Sequence, residues 1–336
     1  MRAAVYTGVG GPEIIQIADV PRPDFGPEQA LVRVQASALN RADVMQRQGQ
    51  YPAPPGAPRE IPGLEFAGVV EGVGDGVTTV QPGQRVFGIA AGGGQAEYLV
   101  SHERLLVPVP ENLDPVQAAA VPEAFITASD ALFTQADLAP GERVLIHAVG
   151  SGVGTAAVQL ARAAGCTVIG TARSPDKLER CAPLGLELGI DSSRQEFAEV
   201  VAQHTDGRGV HVCIDFVGGP YLGKNLAALA TKGRLVLVGL LGGAQTSIGL
   251  GILLGKRLRV VGTVLRARPL EEKAAATQLF AERVVPQLAR GLIRPVVDRV
   301  FPLEDLAEAH RYMESDQNFG KIVIAVESAY RGDERP

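Results

Sequence analysis

Residues 143–173 read RVLIHAVGSGVGTAAVQLARAAGCTVIGTAR, an order of apolar run, glycine turn, helix-like stretch and second apolar run. The run at 143–147 is short and nonpolar, as in a strand buried on both faces of a parallel sheet. Gly150, Gly152 and Gly154 follow at once, and 153–164 carries small and aliphatic residues at helical spacing. A helix opening onto such a turn presents unpaired backbone N–H groups and a positive dipole end, which suits a pyrophosphate. Ser151, Gly152, Val153 and Gly154 are therefore the candidate phosphate-binding residues. Glycine lets the backbone approach the phosphates, and the small Ala156 and Ala157 let the helix sit close to the sheet. The GxGxxG spacing itself is imperfect. Counted from Gly150 it ends on Thr155, and shifted to end on Gly154 it places Val149 and Ser151 where glycines are usual. The full strand–turn–helix–strand unit carries the reading, which is a dinucleotide site.

The end of the second run selects the dinucleotide. A site for NAD commonly has an acid there, about 20 residues past the first glycine, to bind the ribose hydroxyls. This chain has Ala172-Arg173-Ser174 and no acid, with Lys177 close behind. Two cations and a hydroxyl stand where a 2′-phosphate would lie, so the expected cofactor is NADPH. Ser174 followed by Pro175 also has the form of a helix N-cap and first helical residue.

Composition frames this unit. The chain has 336 residues, enough for two domains, with 46% hydrophobic and 21% charged residues, the balance of a globular protein with a large core. A net charge of −5 argues against a general nucleic-acid binder. No apolar run reaches membrane-spanning length, and the start, MRAAVYTGVGGPE, lacks a signal-peptide pattern. The three cysteines, Cys166, Cys181 and Cys213, are far apart and odd in number, which fits a reducing cytoplasm. The polar tail after Ala325 is expected to fray.

Residues 1–122 show short alternating runs, such as 29–34 and 69–73, broken by Gly and Pro, and read as a β-rich domain. From 123 to 266 the pattern becomes strand–helix alternation, with candidate strands at 143–149, 167–171, 212–216, 234–238 and 258–264. That predicts an α/β fold, a doubly wound Rossmann sheet inserted in the β-rich domain. Residues 269–290 read as one long amphipathic helix. A strand at 296–301, a short helix and a strand at 321–326 then resume the first domain, which spans 1–122 and 267–330. The natural place for a substrate is the cleft between the domains. Ligands of a doubly wound sheet lie at strand C-terminal ends, which adds Val217, Gly218, Gly239 and Leu240 as cofactor contacts.

Six segments carry a family resemblance: ALNRADVMQRQGQY at 38–51, GLEFAGVVEGVG at 63–74, GGGQAEY at 92–98, VPEAFITA at 121–128, GSGVGTAAVQLAR at 150–162 and NFGKIVI at 318–324. The chain resembles the zinc-free, zeta-crystallin-like quinone oxidoreductases of the medium-chain dehydrogenase/reductase superfamily, and most of all their stress-inducible NADPH subgroup. The resemblance implies a GroES-like domain plus a Rossmann domain. Zinc-dependent relatives use a Cys in the segment matching 38–51, a His in a GHE triplet and a four-cysteine loop. Here Asn40 and Gly63-Leu64-Glu65 stand at the first two places, and no cysteine precedes Cys166. Neither tetrahedral site can be assembled, so no metal is expected. The five histidines are scattered, and His147 reads as a hydrogen-bonded structural residue.

The resemblance also assigns roles. Asn40, Asp43 and Tyr51 lie on the segment lining the nicotinamide cleft. Tyr51 would stack on or hydrogen-bond a quinone, and Asn40 would donate from its amide. The bland reading of Asn40 and Asp43 is a polar pair satisfying loop backbone groups. Thr127, expected at the start of a helix entering the Rossmann domain, matches a position near the carboxamide. Asn318, Phe319 and Lys321 match a segment that closes over the nicotinamide. Ser192 stands where many relatives have a cofactor-contacting Tyr. The apolar edge at 258–264 joins its copy in relatives, implying a homodimer. Three functions compete: an NADPH-dependent quinone reductase, a reductase of α,β-unsaturated carbonyls, and a non-catalytic, crystallin-like NADPH binder. An acid near Tyr51 would favour the second.

Overall fold

The computed structural model describes residues 1–327; of the tail after Ala325, expected to fray, Val326 and Glu327 are instead held by N–H bonds to the Gln35 carbonyl at 3.0 and 3.1 Å, and 328–336 lie outside the described residues. In chain order the strands are β1 (Arg2–Tyr6), β2 (Ile15–Asp19), β3 (Gln29–Leu39), β4 (Glu65–Val73), β5 (Arg85–Ile89), β6 (Tyr98–His102), β7 (Leu106–Pro108), β8 (Arg143–Ile146), β9 (Thr167–Ala172), β10 (Leu188–Asp191), β11 (Val210–Asp215), β12 (Leu229–Leu237), β13 (Arg259–Gly262), β14 (Val297–Pro302) and β15 (Lys321–Ala325). Among the described residues no helix is long and apolar enough to cross a membrane. The chain divides into two compact units: Met1–Ile126 with the segment from Leu265 onward, and Thr127–Val264. The first division falls inside the helix Pro122–Ser129, not at its start, so Glu123 and Arg266 both belong to the β-rich unit.

In the second unit β8 to β13 are all parallel and ordered β10-β9-β8-β11-β12-β13. Strand order reverses between β8 and β11, the switch point of a doubly wound sheet. Val144, Leu145 and Ile146 of β8 are fully buried, which is why that run is continuously apolar. The helix Gly152–Ala163 follows, with the Ser151 hydroxyl at its N-cap accepting from the Gly154 N–H at 3.0 Å. A Cβ on Gly154 would sit 2.3 Å from the Ala148 carbonyl oxygen, so only glycine lets the helix start this close to the strand.

Several boundaries differ from expectation. β8 stops at Ile146 because Ala148 takes a positive φ of 48° and turns the chain. β12 begins at Leu229, well before 234, because Lys232 at φ 63° interrupts the pattern with a turn-like signal inside the strand. β10, a short glycine-containing run, had no legible strand pattern. The single helix expected over 269–290 is two, Leu270–Arg283 and Val285–Ala289, since Pro286 has no N–H to continue the ladder. β13 is at the sheet edge, as its sequence suggested.

In the β-rich unit the long β3 is central. The main sheet runs β14-β15-β3-β4-β5-β7, β6 also pairs with β3, and β1 and β2 form a separate ladder. Val32, Val34, Leu39, Phe66, Val86, Leu99, Ile322 and Ile324 fill its core. Each such burial contributes roughly 1.5–3 kcal/mol. Register positions the chemistry. β15 runs antiparallel to β3 with Ile322 opposite Leu39, and β4 runs antiparallel to β3 with Phe66 opposite Ser37. The ends of three strands therefore bring Asn40, Glu65 and Lys321 to one place.

Candidate active site

Glu65 is fully buried and sits at the centre of that convergence. Its Oε1 accepts from Lys321 Nζ at 2.7 Å and from Asn40 Nδ2 at 2.8 Å, and its Oε2 accepts from the Glu123 backbone N–H at 2.8 Å. Lys321 Nζ also donates to the Leu39 carbonyl at 3.0 Å and to Asn40 Oδ1 at 2.7 Å. The ammonium's three donors are thus all used, and both amide hydrogens of Asn40 are used, the second on the Ala38 carbonyl at 3.3 Å. Asp43, also fully buried, accepts from the backbone N–H groups of Asn40 at 2.8 Å and Gly63 at 3.1 Å. Burial raises its carboxyl to about 6, against the pull of those two N–H groups and of Lys321 and Arg266.

Beside this cluster lies a second group. Arg266 is 5% exposed; its Nη2 donates to Gln46 Oε1 at 2.6 Å and its Nε to the Ala91 carbonyl at 3.0 Å. The guanidinium stands 5.3 Å from the centre of the Tyr51 ring, a cation–π distance. Tyr51 is partly exposed, and burial and then the Glu123 charge raise its phenol above the ordinary value, opposed by Arg266. Glu123 keeps some solvent access, yet its carboxyl is pushed up to about 8, first by burial and then by the Glu65 charge. Asp43 adds to the rise, while Lys321 and Arg266 oppose it. At neutral pH Glu123 is therefore mainly a carboxylic acid able to give a proton, and its charge when ionised is felt by Tyr51, whose ring can stack on a planar conjugated molecule.

The second unit carries the residues expected to meet a nucleotide. Within the first turn of the helix Gly152–Ala163, Gly152 and Val153 have N–H groups without intrahelical acceptors by their position. A Cβ on Gly150 would meet Lys177 Cδ at 2.9 Å, so the Lys177 stem lies across the glycine turn. Arg173 is exposed just past β9. Ser174 occupies the N-cap position of the helix Pro175–Cys181, but its hydroxyl makes no capping bond. Asp215 closes the next loop, its Oδ1 accepting from Val217 N–H at 2.7 Å and Gly218 N–H at 3.2 Å. Its carbonyl accepts from Val238 and Gly239, while Leu240 is exposed. The Thr127 hydroxyl is buried without a hydrogen-bond partner, an orphan that a polar ligand group would satisfy. A glycine turn, a lysine stem laid across it and an orphaned hydroxyl fit a dinucleotide with an amide end.

Residues 26–111 match the alcohol dehydrogenase GroES-like domain family, and residues 152–282 match the zinc-binding dehydrogenase family. The chain is 32% identical to the quinone oxidoreductase of Rattus norvegicus over 96% of this chain and 97% of that one. The chain belongs to the quinone oxidoreductase family. That makes it an oxidoreductase of the medium-chain dehydrogenase/reductase superfamily. Its fold superposes on the Escherichia coli quinone oxidoreductase complexed with NADPH at a TM-score of 0.88, with 28% identity over 97% of this chain and all of the other. It also superposes on the CurK enoyl reductase at 0.86, with 28% identity over 97% and 99% of the two chains.

The zinc in the name of the matched family does not fit these residues. Where zinc-dependent members of the superfamily would place a thiolate and an imidazole, this chain has Asn40 and Leu64, with the Lys321 ammonium packed 2.7 Å from Asn40 Oδ1. A buried cation there opposes a second one. Among the described residues no three His, Cys, Asp or Glu side chains converge as a metal set.

The structure gives the expected site residues of this family member the following partners. Both amide hydrogens of Asn40 are engaged and Asp43 accepts from backbone N–H groups, as in a polar pair satisfying its loop. Lys321 directs its three donors to Glu65, Asn40 and the Leu39 carbonyl. Ser192 donates its hydroxyl to the Ala172 carbonyl at 3.3 Å. Thr127 lies within the helix Pro122–Ser129, not at its start. Asn318 donates to the Gly320 carbonyl at 3.0 Å, and Phe319 is buried. The Tyr51 ring lies 5.3 Å from the Arg266 guanidinium and its phenol feels the Glu123 charge, two residues that sequence reading missed. Glu123 had a signal, as the one acid in the apolar run 121–128. Arg266 had none to separate it from a surface arginine.

Proposed function

We propose that this protein is an NADPH-dependent, zinc-independent quinone reductase. The observation that carries the nucleotide choice is the end of β9, where Arg173 and Ser174 stand in place of an acid and Lys177 lies over Gly150. The relative complexed with NADPH supports the same choice. Bound NADPH would supply a hydride at nicotinamide C4. Ser151, Gly152, Val153 and Gly154 would cradle the pyrophosphate, Arg173, Ser174 and Lys177 the 2′-phosphate, Val217, Gly218, Gly239 and Leu240 the rest of the nucleotide, and Thr127 the carboxamide. Tyr51 would stack on the quinone and orient it. A quinone gains one hydride and one proton on becoming a hydroquinone; its oxygens can take that proton from water, so no dedicated acid is required.

Glu123 favours a second acceptor class. An α,β-unsaturated carbonyl takes the hydride at its β-carbon and then needs a proton at the α-carbon. The neutral Glu123 carboxyl can give it and be reprotonated from solvent. The likeness to an enoyl reductase agrees with that. We also propose that β13, whose Val260 is 42% exposed at the sheet edge, pairs with a second copy. A steady-state screen of quinones and enones with NADPH tests the activity. Turnover of quinones supports the first reading, turnover of enones alone moves the assignment to the second, and NADPH binding without any turnover contradicts both.

A further inference from the structure

His147 immediately follows β8, is fully buried, and is held edge-on by Phe197 and Tyr221, with ring centres 4.8 and 4.9 Å away. An apolar side chain would fill that space. The histidine is instead bonded through both ring nitrogens. Its Nδ1 is 2.8 Å from Thr171 Oγ1 at the end of β9, and its Nε2 is 2.7 Å from Asn225 Oδ1 on the helix Gly219–Ala228. Asn225, itself fully buried, donates from Nδ2 to Asp215 Oδ2 at 2.9 Å at the end of β11.

These partners fix every proton. Asp215 already accepts from two backbone N–H groups, so it must accept from the Asn225 amide as well. The amide then turns its oxygen to His147, which must carry hydrogen on Nε2. Nδ1 is left as an acceptor, and the Thr171 hydroxyl donates to it. Burial lowers the ring's proton affinity to about 4, so this neutral form persists at physiological pH. A buried polar chain with every member satisfied contributes little net stability relative to an apolar core, but it fixes geometry.

We propose that His147 is a positioning residue for the nucleotide: with Thr171, Asn225 and Asp215 it ties the ends of β8, β9 and β11 together and sets the spacing of the loops that follow them. The proposal rests on the NADPH reading above. Thr171 leads directly into Ala172-Arg173, the candidate 2′-phosphate end, and the Ala172 carbonyl accepts from the Ser192 N–H. At the other end Asp215 holds Val217 and Gly218 through its carboxylate, and Val238 and Gly239 through its carbonyl. One hydrogen-bonded chain therefore runs from the loop that would select the phosphate to the two loops at the opposite end of the site. Neither end can shift without breaking a buried bond.

Calorimetric titration of NADPH and NADH into wild type, Thr171→Val, His147→Gln and His147→Leu tests this. Thr171→Val keeps shape and removes one donor, so the end of β9 is no longer held; it should weaken NADPH binding about tenfold and NADH by less than about threefold. His147→Leu should weaken both by at least about tenfold, and His147→Gln, which can donate to Asn225 and accept from Thr171, should recover most of the loss. Nitrogen NMR of the wild type should show a ring protonated at Nε2 that does not titrate down to about pH 5. If His147→Leu fails to fold, Thr171→Val and the NMR decide. A ring protonated at Nδ1, or a Thr171→Val protein binding both nucleotides within about twofold of wild type, overturns the proposal. Wild type that binds neither nucleotide refutes the NADPH reading and takes this proposal with it; wild type that binds while the variants match it refutes the positioning role alone.

Discussion

Replacing Glu123 with Gln keeps the side chain's size and removes the proton it can donate. With its carboxyl pushed up to about 8, Glu123 is about ten-to-one protonated at pH 7 and about one-to-ten at pH 9. If it protonates the α-carbon of an enone, turnover of that substrate should be flat below pH 8 and fall about tenfold per unit above it. Tyr51 does not confuse this limb, because burial and the Glu123 charge move its phenol above the ordinary value. Glu123→Gln should lower enone turnover by roughly 10²–10⁴, the usual contribution of a positioned acid, and abolish the alkaline limb. Quinone turnover should change by less than about threefold, since its oxygens can be protonated by water. The buried contacts are preserved, because the Glu65 bond comes from the Glu123 backbone N–H and not from the side chain. Steady-state rates for one quinone and one enone between pH 6 and 10 decide the matter. An unchanged enone profile in the variant would show that the proton comes from elsewhere, and that the raised carboxyl only reflects the crowding of Glu65 and Asp43.

Other outcomes follow from the same contacts. Arg173→Ala and Lys177→Ala should each raise the Michaelis constant for NADPH about tenfold, since Arg173 is exposed and its contact screened, and leave that for NADH nearly unchanged; equal rises for both nucleotides would contradict the assignment. Tyr51→Phe should keep quinone affinity if stacking positions the acceptor, whereas Tyr51→Ala should lose it; identical kinetics in all three proteins would place Tyr51 outside the site. Acid should destabilise the fold through His147 and His310, lowered by burial to about 4 and about 3. The unfolded chain binds more protons there, so their stabilisation is complete above about pH 6.5 and is lost as pH falls through those values, by at most ~3 kcal/mol for His147. Denaturant midpoints measured from pH 7 to 4 should show that limb, and it should be shallower in His147→Gln.

The Rossmann unit was legible because its signals are local. A buried parallel strand must be apolar throughout, a phosphate turn must contain glycine, and both lie in one short stretch of chain. The edge position of β13 showed for the same reason. β10 did not, because four residues with a glycine carry no pattern of their own. Side-chain roles in the β-rich unit were harder, since they depend on register. Asn40 looked like a donor until β15 placed Lys321 opposite it and β4 placed Glu65 beside it. Nothing in the order of residues announces that three strand ends meet. Glu123 and Arg266 were missed because their meaning comes from burial beside Tyr51, which no spacing rule encodes. Family resemblance pointed to segments, and within them the hydrogen bonds distinguish side chains already engaged from those with donors or faces left over.

The most direct test of the account is the rate of nucleotide oxidation by 1,4-benzoquinone, measured with NADPH and with NADH on purified protein in excess chelator. NADPH should be oxidised with a kcat/KM at least about tenfold above that for NADH, from the 2′-phosphate contacts, and the chelator should change neither rate. A preference for NADH, or activity lost to the chelator and restored by zinc, would contradict the reading of Arg173, Ser174 and Lys177 or that of Asn40 and Lys321.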